Sequence, residues 1–168
     1  KIASALWTVK NGADELDVSM NVGAFKQCRG QACLSRILEE MKAIVSEVKS
    51  VYLNNDRSKD TPLVKFIIET GWLTDDEIKK ASELVLSSGA DFVKTCSGFG
   101  PRGGTLHDVE LIKSVVGDKI KIKVAGGVTT YQQTIDFIQA GASRLGTSHA
   151  VEIVGGTTEE NIPSLSKE

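Results

Sequence analysis

Three stretches of the chain rhyme: N-G-A-D-E-L-D-V from Asn11, S-G-A-D-F-V-K-T from Ser88, and A-G-A-S-R-L-G-T from Ala140. Each puts a glycine just after an amphipathic run and just before a β-rich one. A glycine there ends a helix in left-handed geometry and lets a strand begin within a few residues. Two further strands, over residues 63–70 and 120–125, stand in the same relation to their neighbours. The pattern predicts five strand–helix units preceded by a helix over residues 2–10. Units of this kind build a parallel sheet covered by helices, either open or closed into a barrel.

Helix starts carry their own signals. Thr74 with Glu77 forms a capping box, Thr130 with Gln133 opens another, and Thr105 begins a third with Asp108 in its first turn. The longest predicted helix covers residues 34–49, with Ile37, Leu38, Met41, Ile44, Val45 and Val48 on one stripe. Residues 54–62 read as a polar, variable connection, and no linker divides the 168 residues, so one domain is expected. Within the strands, Leu16, Val18 and Met20 share a face opposite Asp17, Ser19 and Asn21. Val64, Phe66 and Ile68 oppose Lys65, Ile67 and Glu69, and Val93 opposes Phe92 and Lys94. Ile122 and Val124 oppose Lys121 and Lys123. A doubly wound sheet is apolar on both faces. One apolar and one charge-bearing face favours a barrel whose interior gathers functional groups.

Composition excludes several partners. Twenty basic against 22 acidic residues leave a net charge of −2, with no electrostatic footprint for nucleic acid or an anionic membrane. No apolar run approaches the ~20 residues that cross a bilayer, and no secretory or transit segment is read at the start. Three cysteines make no disulfide framework, so a reducing, cytoplasmic setting is expected. Cys28 and Cys33 flank a turn without the spacing or histidine partners of a zinc site, and are expected to be surface or packing residues. Trp7 and Trp72 are read as packing residues and Cys96 as core. His107 and His149 have no partner at metal-ligand spacing, so neither a metal nor another cofactor is expected.

Lys94 is the most informative side chain. It lies near the carboxyl end of an otherwise apolar strand, on the polar face, and Lys123 occupies the corresponding place in the next strand. Two ammonium groups in one cavity are unfavourable unless one is neutral, and a neutral lysine is what attack on a carbonyl requires. Asp17, inward on the first strand, can shuttle protons or orient a water, or serve as counter-ion to the second lysine. Glu69 is read as a structural partner of a buried cation. Glycine-bearing turns follow the last three strands, at residues 97–104, at 125–127 and at 146–148. Backbone amides in such turns attract anions, which points to a phosphorylated substrate.

Five segments together resemble the deoxyribose-phosphate aldolase family: G-A-D-E-L-D-V-S-M-N-V-G-A-F (residues 12–25), K-F-I-I-E-T-G (65–71), G-A-D-F-V-K-T-C-S-G-F-G (89–100), K-V-A-G-G-V (123–128) and G-A-S-R-L-G-T-S (141–148). The resemblance implies a (β/α)8 TIM barrel of which this chain holds the last five units, its carboxyl-terminal part. It also implies metal-free, reversible cleavage of 2-deoxy-D-ribose 5-phosphate to D-glyceraldehyde 3-phosphate and acetaldehyde. Lys94 would form the Schiff base, Lys123 would favour the neutral amine and assist proton transfer, and Asp17 would relay protons with a water. Gly98, Gly126, Gly127 and Ser148 would help hold the phosphate. Cys96 and His149 depart from the family pattern, which has a serine or threonine at the first position and commonly a serine at the second. The implied alternative is a remnant that binds sugar phosphates or a partner subunit without catalysis. A five-stranded sheet with two unpaired edges would be marginal or associate with itself, so a homo-oligomer is also an expectation.

Overall fold

The computed structural model describes residues 1–53 and 61–155. Most of the polar connection at 54–62 therefore lies outside the described residues. Helix α1 (Ile2–Lys10) leads into β1 (Glu15–Ser19), the short α2 (Val22–Gln27) and the long α3 (Gln31–Leu53). Next come β2 (Leu63–Ile67), a 3-10 turn (Thr70–Trp72) and α4 (Asp75–Ser88). The units β3 (Phe92–Lys94) with α5 (Leu106–Val116), β4 (Lys121–Ala125) with α6 (Tyr131–Gln139), and β5 (Arg144–Gly146) with α7 (Ala150–Gly155) complete the described chain. The expected order of units holds, with α2 as an addition that the sequence did not announce. Asn21 starts it by accepting the Ala24 amide at 3.1 Å.

The five strands are parallel and lie in the order β1-β2-β3-β4-β5. The sheet curls into a half-barrel, a partial (β/α)8 barrel. Its curvature is visible in side chains that span it: Lys123 on β4 reaches Asp17 on β1, and Arg144 on β5 reaches Glu15 on β1. The convex face carries Leu16, Val64, Phe66, Val93, Ile122 and Val124, all buried, against helices stacked in the sequence α1, α3, α4, α5, α6, α7. Phe66 is 1% exposed in this layer. Truncating a phenylalanine so placed costs about 3–5 kcal/mol.

Local chemistry sets three helix starts where the sequence placed them, while α3 extends past the expected 34–49 at both ends. Capping boxes form at Thr74/Glu77, Thr105/Asp108 and Thr130/Gln133. Gly89 closes α4 at φ 80°, a left-handed geometry that admits glycine without penalty. Two residues on, Asp91 accepts the Val64 amide at 2.8 Å and pairs with Lys49 at 3.2 Å, tying the start of β3 to β2 and α3.

Two expectations are corrected. Trp7 and Trp72 are 68% and 58% exposed. Ala5 and Val9 form the buried stripe of α1, so Trp7 between them faces outward; Trp72 sits at the rim of the half-barrel beyond β2. Cys28 and Cys33 are joined in a disulfide, with Cα atoms 5.7 Å apart. Gly30 at φ 97° turns the chain tightly between α2 and α3 and brings the two sulfurs together. Thiol titration of the denatured, unreduced chain should count one cysteine, Cys96, rising to three after reduction. Three thiols before reduction would contradict the pairing.

Candidate active site

The concave face of the half-barrel is built by every second residue of each strand. Register places Asp17 beside Lys65, Ile67 beside Lys94, and Lys94 beside Lys123. Alternation turns all of these inward, so ionic groups from four adjacent strands converge. Asp17 is their meeting point. Its Oδ2 accepts from Lys94 Nζ at 2.8 Å and from Lys123 Nζ at 2.8 Å, while Oδ1 lies 3.3 Å from Lys65 Nζ. The two catalytic-candidate amines thus share one oxygen and lie within twice that distance of each other. Burial pushes the Asp17 carboxyl up, but hydrogen bonds from Lys123 and Lys94 outweigh it and hold the group far below the usual carboxylate range. It is a carboxylate throughout neutral pH.

Lys65 is the residue that sequence reasoning placed on this face without singling it out. Its side chain is only 2% exposed, and it donates to Glu15 at 2.7 Å as well as to Asp17. Glu15 also pairs with Arg144. Phe92 forms the floor, with Lys65 and Lys121 each 5.8 Å and Arg144 5.0 Å from its ring centroid. The signal for this layer was present in the strand alternation. What alternation does not reveal is that β5 curls far enough to meet β1.

The expected glycine turns gather beside Lys94. A cavity of about 410 Å³ is lined by Lys94, Lys123, Gly98, Gly126, Gly127 and Ser148, among others. All seven residues singled out as candidates therefore lie in or against one site, Asp17 through both lysines. The loops are packed backbone to backbone: a Cβ at Gly103 would collide with the Gly126 carbonyl. Gly98, Gly126 and Gly127 hold φ values of 97°, 82° and 76°. Ser148 Oγ lies 3.2 Å from His149 Nδ1, so the departing histidine engages the expected phosphate-side hydroxyl. Cys96 is fully buried and contacts the Ala125 carbonyl, as core.

Glu69 departs from expectation. Among the described residues it forms no ion pair; both of its carboxylate oxygens accept the Ser97 amide, at 3.1 and 3.2 Å. Its backbone is left-handed, at φ 57° and ψ 62°, a conformation that costs a non-glycine residue about 1–2 kcal/mol. The strand expected to run to residue 70 ends at Ile67 for this reason. The same loop is anchored at its far end by Asp108, which is 1% exposed. Arg102 clamps both Asp108 oxygens, Thr70 Oγ1 donates at 2.9 Å and the Thr105 amide at 3.0 Å. A second cavity of about 410 Å³, with Ser19, Ile67, Glu69 and Trp72 in its wall, opens on the β1–β2 side.

Among the described residues, no cluster of three or more His, Cys, Asp or Glu is placed to hold a metal ion, and no helix is long and apolar enough to cross a membrane.

A parallel half-barrel with paired lysines on its concave face and glycine turns at its strand ends is the carboxyl-terminal architecture of an α/β-barrel protein. Residues 1–153 match the DeoC/LacD family of aldolases, and the chain belongs to that family. It is 45% identical over 156 residues to the deoxyribose-phosphate aldolase of Carboxydothermus hydrogenoformans, covering 93% of this chain and 64% of that one. To the enzyme of the same name from Thermococcus kodakarensis it is 43% identical over 160 residues, 95% and 66% of the two chains. Among solved structures, "QR15, an Aldolase" superimposes with a TM-score of 0.79 at 39% identity, over 92% of this chain and 63% of that one. The tetrameric deoxyribose phosphate aldolase from Aeropyrum pernix gives 0.77 at 26%, over 93% and 60%. The chain spans a little under two thirds of the length of these relatives.

The Asp108 cluster generates a pH prediction. Burial raises the Asp108 carboxyl, and hydrogen bonds from Arg102, Thr105 and Thr70 more than reverse this, leaving it below its ordinary value. A carboxylate lowered in the folded state contributes stability in full above its unfolded value, near pH 4, and loses it as pH falls further. Asp108→Asn should cost about 2 kcal/mol at pH 7 and flatten the acid limb of the stability curve below about pH 4. Urea melts at pH 7 and pH 3 check both, and parallel curves for the two proteins would refute the assignment.

Proposed function

We propose that the chain carries the catalytic strands of a Schiff-base aldolase that cleaves 2-deoxy-D-ribose 5-phosphate to D-glyceraldehyde 3-phosphate and acetaldehyde. The observation that carries this reading is the sharing of one Asp17 oxygen by Lys94 and Lys123 at the head of the glycine-lined cavity. Relatives bearing the name of that aldolase support the substrate.

Lys94 is the nucleophile. Its side chain is 10% exposed and opens onto the cavity, so an aldehyde carbonyl reaches Nζ with little bulk water present. Addition of the neutral amine and loss of water give a protonated imine at C1. The imine is the electron sink: a base removes the C3 hydroxyl proton, the C2–C3 bond breaks, and its electron pair forms an enamine. Departure of the three-carbon aldehyde phosphate, protonation at C2 and hydrolysis then release acetaldehyde and restore the amine. Asp17 and Lys123 are the groups placed to relay these protons, with a water between them and substrate. The Asp17 carboxylate, beside Lys94 Nζ, offsets the positive charge of the imine nitrogen. Asp17 begins and ends each turnover as a carboxylate, and its bond to Lys123 holds that lysine in place while Lys94 reacts.

Phosphate binding falls to the turns after β3, β4 and β5. Amides around Gly98, Gly126 and Gly127 together with Ser148, all lining the cavity, are the hydrogen-bond donors this reading assigns to the phosphate. Small phosphorylated sugars are the partners this implies, and self-association is the further expectation, since β1 and β5 each pair on one side only among the described residues.

Reductive trapping tests the proposal. Incubation with acetaldehyde and borohydride should leave an ethyl group on Lys94, located by peptide mass spectrometry and absent from Lys94→Ala. No adduct from a folded sample would leave only the binding reading. In samples shown to be folded by circular dichroism, Asp17→Asn should lower kcat by about 10²–10³, measured by coupled assay of the aldehyde phosphate. A wild-type rate in that variant would remove Asp17 from the relay.

A further inference from the structure

Glu69 stands outside the lysine cluster, does not line the glycine cavity, and is the one non-glycine residue among those described with a positive φ. Its position in the ladder explains how it comes to be there. The Ile68 amide donates to Lys94 O at 3.0 Å and the Thr70 amide to Thr95 O at 2.9 Å. Two residues of one strand thus match one step of the other, where a regular parallel ladder advances two on both sides. Glu69 is the extra residue of a bulge, and bulges re-aim side chains. Here the carboxylate turns away from the lysines and into the loop that follows β3.

That loop closes around it. The Ser97 amide donates to both oxygens. The backbone of Gly100 packs so tightly that a Cβ there would come within 2.6 Å of Oε1. Between these two contacts lies Gly98, and both Ser97 and Gly98 line the cavity beside Lys94. Glycine at position 69 would adopt this backbone without strain. Strain of this kind persists where surrounding contacts over-determine it, and it gathers at functional sites. The contact that over-determines it here is the carboxylate's hold on Ser97.

We infer that Glu69 is a positioning residue: its bulged, left-handed backbone is retained so that the carboxylate can fix Ser97 and Gly98 as the β3-side wall of the phosphate cavity. It touches no substrate. This rests on the proposed function for the identity of the phosphate ligand, and not for the geometry of the loop.

The test uses the full chain with Glu69→Gly and Glu69→Gln. Glycine relieves the backbone and deletes the acceptor; glutamine keeps the backbone and one acceptor oxygen. In Glu69→Gly the melting temperature should not fall, KM for the sugar phosphate should rise about tenfold, the worth of a hydrogen bond to a charged group, and kcat should change less than about twofold. KM for unphosphorylated 2-deoxyribose should stay near wild type, and Glu69→Gln should regain most of the loss. A wild-type KM in a folded Glu69→Gly, an equal loss with the unphosphorylated sugar, or no rescue by glutamine would each overturn the inference. Should the wild-type chain cleave no sugar phosphate, the proposed function fails, and hydrogen exchange of the Ser97 amide decides this point alone. Exchange at least about tenfold faster in Glu69→Gly supports the positioning role; unchanged exchange overturns it.

Discussion

Everything on the concave face depends on the Asp17 carboxylate. Lys65, Lys94 and Lys123 occupy three adjacent strands and point into one space. Without an anion among them, their mutual repulsion and the burial of Lys65 would oppose the register that brings them together. Asp17 answers all three, and Glu15 adds a second anion below it. Because side chains alternate, a slip of one residue between β1 and β2 would carry Asp17 into the apolar layer under the helices. The charge cluster therefore fixes register as firmly as the hydrophobic face does. It also leaves an excess of cations: Lys65, Lys94, Lys123 and Arg144 against Glu15 and Asp17. A chain with net charge −2 thus presents a locally positive concavity, which is the field an anionic substrate requires.

The catalytic wall is held from outside the cluster. The loop after β3 carries no regular structure, yet a carboxylate grips it at each end: Glu69 at Ser97, and Asp108 through Arg102. Its glycines then lie flat against those of the next turn. Side chains that never touch substrate thereby set the positions of backbone groups that can. In the proposed function, this division has the strands supply the lysines from a rigid sheet while the loops supply amides for binding.

What could be read from the sequence was what is local or periodic. Capping boxes at Thr74, Thr105 and Thr130 use residues three apart, and the pairing of Lys94 with Lys123 follows from strand parity. The rest depends on geometry that periodicity does not encode. Glu15 and Arg144 meet only because the sheet curls, and Lys65 gains its meaning from two acids on the neighbouring strand. Glu69 was assigned to a strand because its neighbours Ile67 and Ile68 are β-rich; the bulge that redirects it is set by contacts 28 residues away. Cys28 and Cys33 lack metal-site spacing and offer no local sign of a bond between them, whereas their pairing is decided by one tight turn at Gly30. Trp7, expected to pack, is turned outward by its place on α1 between Ala5 and Val9.

The curvature itself has an electrostatic component. In a closed barrel, hydrogen bonding between first and last strands enforces the curl. Among the residues described here, β1 and β5 are not ladder neighbours. What connects them is Glu15 with Arg144, and what connects β1 to β4 is Asp17 with Lys123. These ion pairs reach across the concavity and draw its rims together. The groups that span the half-barrel are thus continuous with the groups proposed to do the chemistry: Asp17 bridges β1 to β4 with the same oxygen that holds Lys94. Fold and site are therefore coupled through one carboxylate. A change in its charge alters both the curvature that aligns the cavity walls and the proton inventory beside the reacting amine.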